Sequence, residues 1–128
     1  MKVIVAGSRS ITDYQFVKEC IENSDFKVTE IVSGGARGVD RCGEDYSYWE
    51  LNKRPTIIKA KWEKYGKSAG YKRNIEMADY GDALVAVWDG TSRGTLHMIE
   101  TMNKALKPVR VYRYFRDEKE RERYTKYR

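Results

Sequence analysis

Apolar residues along this 128-residue chain alternate between two rhythms. Short unbroken apolar runs, of the kind that fill a strand buried on both faces, give way to stretches in which apolar residues recur every three or four positions, as on one face of a helix. Residues 2–6 form the first run. A helix is expected over 12–24, with Phe16, Val17, Cys20 and Ile21 on one face and Thr12-x-x-Gln15 at the spacing of a capping box. Residues 28–32 are the second strand, and Val39, Cys42, Tyr46 and Trp49 mark the second helix. Pro55 punctuates the chain before a third strand over 56–60. A loop over 61–69 leads to a helix expected to turn Tyr71, Ile75 and Ala78 inward. The fourth strand is 83–87, the fourth helix carries Thr95, Leu96, Ile99, Met102 and Leu106, and Pro108 opens a fifth strand over 109–112.

Strands alternating with helices predict an α/β fold, with a mostly parallel sheet of about five strands and helices on both faces. Right-handed crossovers bring every strand-to-helix loop to one edge, the carboxyl edge where open sheets of this class bind ligands. Three of those loops carry candidate chemistry. Ser33-Gly34-Gly35-Ala36-Arg37-Gly38-Val39-Asp40 joins the second strand to the second helix. Its glycines let a ligand approach bare backbone, and the helix start offers N–H groups to an anion. The pattern predicts a phosphate cradle, although Ser33 stands where the dinucleotide fingerprint has its first glycine. Gly7-Ser8-Arg9 follows the first strand and supplies a guanidinium suited to phosphate. Trp88-Asp89-Gly90-Thr91-Ser92-Arg93-Gly94-Thr95 follows the fourth strand. It offers a carboxylate for ribose hydroxyls, hydroxyls of its own, a second helix start, and an indole that either stacks on a base or fills the core.

Other residues are weaker candidates. Tyr65-Gly66-Lys67-Ser68 lacks the upstream glycine of a P-loop, because Lys61 stands there; Lys67 is left as a cation that could reach an anion from a lid. His97, the single histidine, is expected to face solvent. Asp40 and Glu44 share a helix face beside the glycine loop, as general bases or as solvated charges. Glu100 and Lys104 are four apart, the spacing of a helical ion pair.

The net charge is +6, and residues 110–128 hold eight Lys/Arg against four Asp/Glu. Most of the excess therefore lies in the last nineteen residues, which include a Tyr-rich tail over 113–128 beyond a single domain over 1–112. The tail is expected to be a short helix packed on a neighbour or partly disordered. No apolar run approaches the roughly 20 residues of a membrane span, and the N-terminal run is too short for a signal peptide. With two isolated cysteines and no Cys/His cluster, neither a disulfide framework nor a metal site is implied, and a cytoplasmic protein is expected. No cofactor is evident, though Mg²⁺ could accompany a phosphate ligand.

Taken together, Gly7-Ser8-Arg9, the run from Ser33 to Asp40, Gly66-Lys67-x-Ala69-Gly70-x-x-Arg73-Asn74-x-x-Met77-Ala78 and Trp88-Asp89-Gly90-x-Ser92-x-Gly94-Thr95 resemble the YspA/cpYpsA-related branch of the SLOG superfamily. That superfamily joins the DNA-processing protein DprA to the LOG phosphoribohydrolases. The resemblance covers residues 2–111. It implies a Rossmann-like fold that binds nucleotides or nucleotide-derived signals, in bacteria or their phages, and it adds Arg73 and Asn74 to the ligand-binding set. Arg73, Met77, Gly94 and Thr95 match the LOG pattern, but the positions of its paired glutamates hold His97 and Met98. Binding is therefore better supported than hydrolysis.

The favoured expectation is a sensor or binding domain. Arg9, the 34–38 backbone and the Gly94-Thr95 helix start hold phosphate, and Asp89 takes a ribose hydroxyl. The first alternative is an N-glycoside hydrolase in which Arg73 orients the substrate and Asp89, Asp40 or Glu100 stabilises the cationic transition state. The second is single-stranded nucleic-acid binding, with the tail's cations and Tyr114, Phe115, Tyr124 and Tyr127 supplying phosphate contacts and stacking. Tyr48, Trp62 and Tyr80 lie beyond the core stripes, so a homo-oligomer is also expected.

Overall fold

A computed structural model describes residues 1–126. Its strands are β1 (Lys2–Gly7), β2 (Glu30–Ser33), β3 (Thr56–Ile57), β4 (Ala83–Trp88) and β5 (Val109–Arg113). Its α-helices are α1 (Tyr14–Asn23), α2 (Val39–Glu50), α3 (Trp62–Tyr65), α4 (Ala69–Tyr80), α5 (Arg93–Lys104) and α6 (Glu118–Lys126), with a 3₁₀ turn at Gly66–Ser68. The strands pair in parallel in the order β3-β2-β1-β4-β5. This is the expected α/β Rossmann-like architecture.

The central strands β1 and β4 are apolar on both faces, so each face needs its own cover. Val3, Val5, Val85 and Val87 join Val17, Cys20 and Ile21 of α1 and Val39, Cys42 and Tyr46 of α2 in one core. Ile4, Ala6, Leu84 and Ala86 join Met77 and Ala78 of α4 and Met98, Ile99 and Met102 of α5 in the other. Lys107 closes this second layer: its ammonium donates to the carbonyls of Ala78, Asp79 and Gly81 at 2.6, 3.2 and 2.8 Å, satisfying the end of α4.

The structure corrects several expectations. The cap of α1 is Asp13, whose Oδ1 accepts from the Phe16 N–H at 3.1 Å, one residue past the capping box expected at Thr12. The third strand is only two residues long, and the expected loop after it contains α3 and the 3₁₀ turn. Helix α4 is rotated from its expected phase: Ala69, Asn74, Met77 and Ala78 are buried, while Tyr71 and Ile75 are exposed. Trp49, at 69% exposure, lies against Tyr14 rather than in the core, and Leu106 sits outside α5 in the left-handed region, fully on the surface. The tail forms β5's last residue and α6, while Tyr127 lies outside the described residues. Among the described residues no helix is long and apolar enough to cross a membrane.

Candidate functional site

All three chemistry-bearing loops reach the carboxyl edge of the sheet, and they are tied to one another. Ser8 follows β1 and is buried; its Oγ accepts from the Asp89 N–H at 3.0 Å, and its carbonyl accepts from the Val39 N–H at 3.3 Å. One residue thus fixes the β1 loop to the β4 loop and to the start of α2. Gly38 makes the second join possible. It adopts φ of +71°, and a Cβ there would lie 2.4 Å from the Arg9 carbonyl oxygen.

Between these loops lies a cleft of about 430 Å³ lined by Gly7, Ser8, Arg9, Ala36, Asp40, Arg73, Asn74, Asp89, Ser92, Gly94 and Thr95, with Ala6, Met77 and Met98 buried beneath its floor. The volume lies within the usual range of small-molecule sites, about 300–1,000 Å³. Arg9, Ala36 and Arg73 also line an adjoining groove of about 360 Å³, together with Gly34, Gly35, Arg37, Lys59, Ala60 and Trp62. The two depressions therefore share a boundary made largely of guanidinium groups.

Arg73 is aimed by the residues around it. Its Nη1 donates to the Gly34 carbonyl at 2.6 Å and its Nε donates to the Asn74 side-chain carbonyl at 3.1 Å. Gly34 must be bare for this: a Cβ there would lie 2.6 Å from Nη1. Asn74 in turn reaches α5, its amide nitrogen donating to the Gly94 carbonyl at 3.2 Å and to His97 Nδ1 at 3.1 Å. His97 is thereby assigned as an acceptor at Nδ1. It is half-buried and stacked on Tyr71 at 4.2 Å, not facing solvent as its spacing suggested. Burial holds its pKa below the usual histidine value, against the pull of Glu100.

The glycine loop differs from the simple phosphate cradle its sequence suggests. The Gly35 N–H donates to Ser33 Oγ at 3.0 Å, and the Ala36 N–H donates to Asp40 Oδ2 at 3.2 Å. Ser33 Oγ donates onward to Glu44 at 2.6 Å. Two amides expected to hold an anion are thus satisfied by the protein, one of them by a carboxylate. Burial pushes the Asp40 carboxyl up to about 6, while the Ala36 N–H and the Arg73 guanidinium restrain the rise. Asp40 occupies the place of an internal anion at the cleft wall.

The β4 loop is similarly self-satisfied. Asp89 Oδ1 accepts from the Thr91 and Ser92 N–H groups at 2.8 and 2.9 Å. Burial favours the neutral form, but these bonds and the Ser8 hydroxyl outweigh it and hold the carboxyl below its ordinary value. Ser92 caps α5, accepting from the Thr95 N–H at 3.4 Å, and Ser92 Oγ lies 2.9 Å from Thr95 Oγ1. Trp88 donates from Nε1 to the Ser92 carbonyl at 3.0 Å and packs on the second core, so of its two readings the structure takes the buried one.

The remaining candidates lie away from the cleft. Gly90 packs beside the Arg113 guanidinium, and Thr91 lines a separate depression toward the tail. Lys67 is exposed on the 3₁₀ turn, and Glu100 is exposed on α5, outside the cleft lining. Sequence reasoning did not assign Met77, Met98, Lys59 or Trp62 to the site. The methionines repeat with the core stripe and the lysine sits in an expected strand, so neither stood out.

Comparison with known proteins bears on the fold and on kinship. No family model matches the chain. The Gene 61 protein of Mycobacterium phage D29 is 35% identical over 118 residues, covering 84% of this chain and 93% of that protein. DNA processing protein A from Helicobacter pylori, whose structure is described for its single-stranded DNA binding mode, superposes with a TM-score of 0.66 at 20% identity. The match covers 92% of this chain and 67% of that one, and at this identity it establishes the shared fold.

Proposed function

The chain belongs to the family of the Gene 61 protein of Mycobacterium phage D29, and we propose that it binds single-stranded nucleic acid across the carboxyl edge of its sheet. The observation that carries the reading is the boundary between cleft and groove, where Arg9 and Arg73 face both depressions. A phosphate at that boundary meets guanidinium groups suited to it. A sugar in the cleft meets Asn74, Asp89, Ser92 and Thr95, polar groups suited to its hydroxyls. The groove continues the path with Arg37 and Lys59, giving a backbone-tracking strip of positive charge. The fold shared with a protein studied for single-stranded DNA binding supports the same reading.

The test is fluorescence anisotropy with a labelled oligothymidylate of about twelve residues. The single strand binds, affinity falls steeply between about 50 and 200 mM salt, and Arg73→Gln weakens binding by at least about tenfold, the loss of one charge-assisted contact. A strand that fails to bind at the lower salt overturns the proposal.

A second reading rests on the size of the cleft, which suits one free nucleotide. It is favoured if nucleoside monophosphates bind by calorimetry as tightly as the oligonucleotide does.

A further inference from the structure

The exposed ring of Trp62 stands beside the proposed track with no aromatic or cationic partner among the described residues. It is 52% exposed on the single turn of α3 and lines the groove with Arg9, Arg37, Lys59 and Arg73. Its far edge lies over Gly70 of α4, where a Cβ would lie 3.4 Å from Cη2, and about half of the residue is open to solvent. Tyr65, on the same turn, is different: Lys64 and Lys72 hold their ammonium groups 5.1 and 4.8 Å from its ring centroid. Around Trp62 the chain is strongly basic. Residues 59–73 hold Lys59, Lys61, Lys64, Lys67, Lys72 and Arg73 against Glu63 alone.

We propose that Trp62 is a base-stacking subsite, and that the site spans two successive nucleotides. This rests on the single-strand reading above. Arg9 and Arg73 line both depressions, so the phosphate linking two nucleosides sits at their boundary, with one nucleoside in the cleft and its neighbour stacked on Trp62. Lys59 and Lys61 flank the ring and meet the next phosphate. An aromatic face among cations with few acids is complementary to a single strand, whose bases are unpaired and whose backbone is anionic. A duplex keeps its bases inside the stack and offers that ring nothing.

The experiment is a length series of thymidine 5′-monophosphate, thymidylyl-thymidine carrying a 5′-phosphate, and an oligothymidylate, read by calorimetry and by tryptophan emission. In the native chain, the step from one nucleotide to two tightens binding by about tenfold or more and quenches emission. Trp62→Ala abolishes that step, Trp62→Phe retains most of it, and Trp62→Phe removes the quenching. Tyr48→Ala, an exposed aromatic on α2, leaves the step unchanged. If Trp62→Ala keeps the full step while the oligonucleotide still binds, the stacking subsite is wrong and the single-strand reading stands. If the native chain binds no oligonucleotide, both fall together.

Discussion

Two surfaces of this chain mix cations with aromatic rings, and they differ in what those groups already touch. On the tail, Phe115 packs against Tyr124 at 5.2 Å, Arg113 lies over both rings at 4.7 and 4.9 Å, and Arg116 pairs with Glu120 at 3.1 Å. Tyr114 packs edge-on to Phe16 and donates to Asp13. The depression between tail and sheet carries Asp89 and Glu120 beside Arg116. On the lip formed by α3 and the 3₁₀ turn, Lys59, Lys61 and Lys67 make no side-chain hydrogen bond or ion pair among the described residues, and Trp62 is half exposed with no ring or cation partner among them. Composition alone cannot separate the two. What separates them is that the tail packs Phe115, Tyr124, Arg113 and Arg116 on one another, whereas the lip leaves Trp62, Lys59, Lys61 and Lys67 toward solvent beside an arginine-lined cleft.

The largest expected effect comes from stripping each surface of charge. Replacing Lys59, Lys61 and Lys67 by glutamine removes up to three phosphate contacts. With about 0.7 counterions released per contact on a single strand, affinity for the oligothymidylate near 50 mM salt drops by up to a few hundredfold, and the salt slope shrinks by about 2. The matching tail variant, Lys119, Arg121 and Arg123 to glutamine, changes affinity by less than about threefold because those residues lie off the track. Equal losses from the two variants would erase the comparison and return the binding surface to the tail.

Next in size is Asp40. Its carboxyl is near 6 when folded and near its ordinary 3.8 when unfolded, so between those values the folded state holds a proton that the unfolded state has lost. Stability therefore falls as pH rises from about 4 to about 6, and above that the ionised carboxylate costs on the order of 3 kcal/mol. Asp40→Asn is expected to raise the denaturation midpoint at pH 8, with the gain vanishing by about pH 4. The same charge senses where a strand lies. A phosphate held at Arg9 and Arg73 faces Asp40, so native affinity rises as pH falls from 8 toward 5 and the variant's does not. A strand on the tail would leave the two proteins with one pH profile.

Much of the frame was legible in the sequence because β1 and β4 are buried on both faces and must be apolar throughout, and because α1 and α5 carry clear stripes. The lip was not. A four-residue helix is too short to show a period, and the adjacent strand pairs for only two residues, so residues 58–69 looked like strand and loop. Its charge was hidden by averaging, since residues 59–73 are strongly basic while residues 1–109 as a whole net only +2. Helix α4 was placed in the wrong phase because Tyr71 and Ile75 also fit a helical repeat. A buried asparagine at position 74, satisfied by Arg73, Gly94 and His97, overrode hydrophobicity. The cradle was legible as a location, since glycines and a helix start mark it. Its internal occupation by Ser33 and Asp40 depends on side-chain contacts that spacing does not reveal.

The smallest effect separates the two surfaces by stability instead of binding. Tyr114 packs against the core of the α1 face, its ring 4.9 Å from Phe16, and its hydroxyl donates to the same Asp13 that caps α1. Tyr114→Ala removes an edge-on aromatic pair, buried area and a bond to a charged acceptor, and is expected to cost about 1–2 kcal/mol. That amounts to a midpoint lower by several degrees in a chain of this length. Trp62→Ala removes a larger side chain, but one that is 52% exposed and without a hydrogen bond or ring partner among the described residues, and is expected to cost less than Tyr114→Ala, about 1 kcal/mol or under. The contrast runs against residue size, which is what makes it informative. A ring that packs for the fold shows its worth in the absence of any ligand, and a ring held open for a base shows it only when one is bound. Equal destabilisation by the two variants would mean that Trp62 is as much a structural residue as Tyr114, and the lip would have no spare ring to offer a strand.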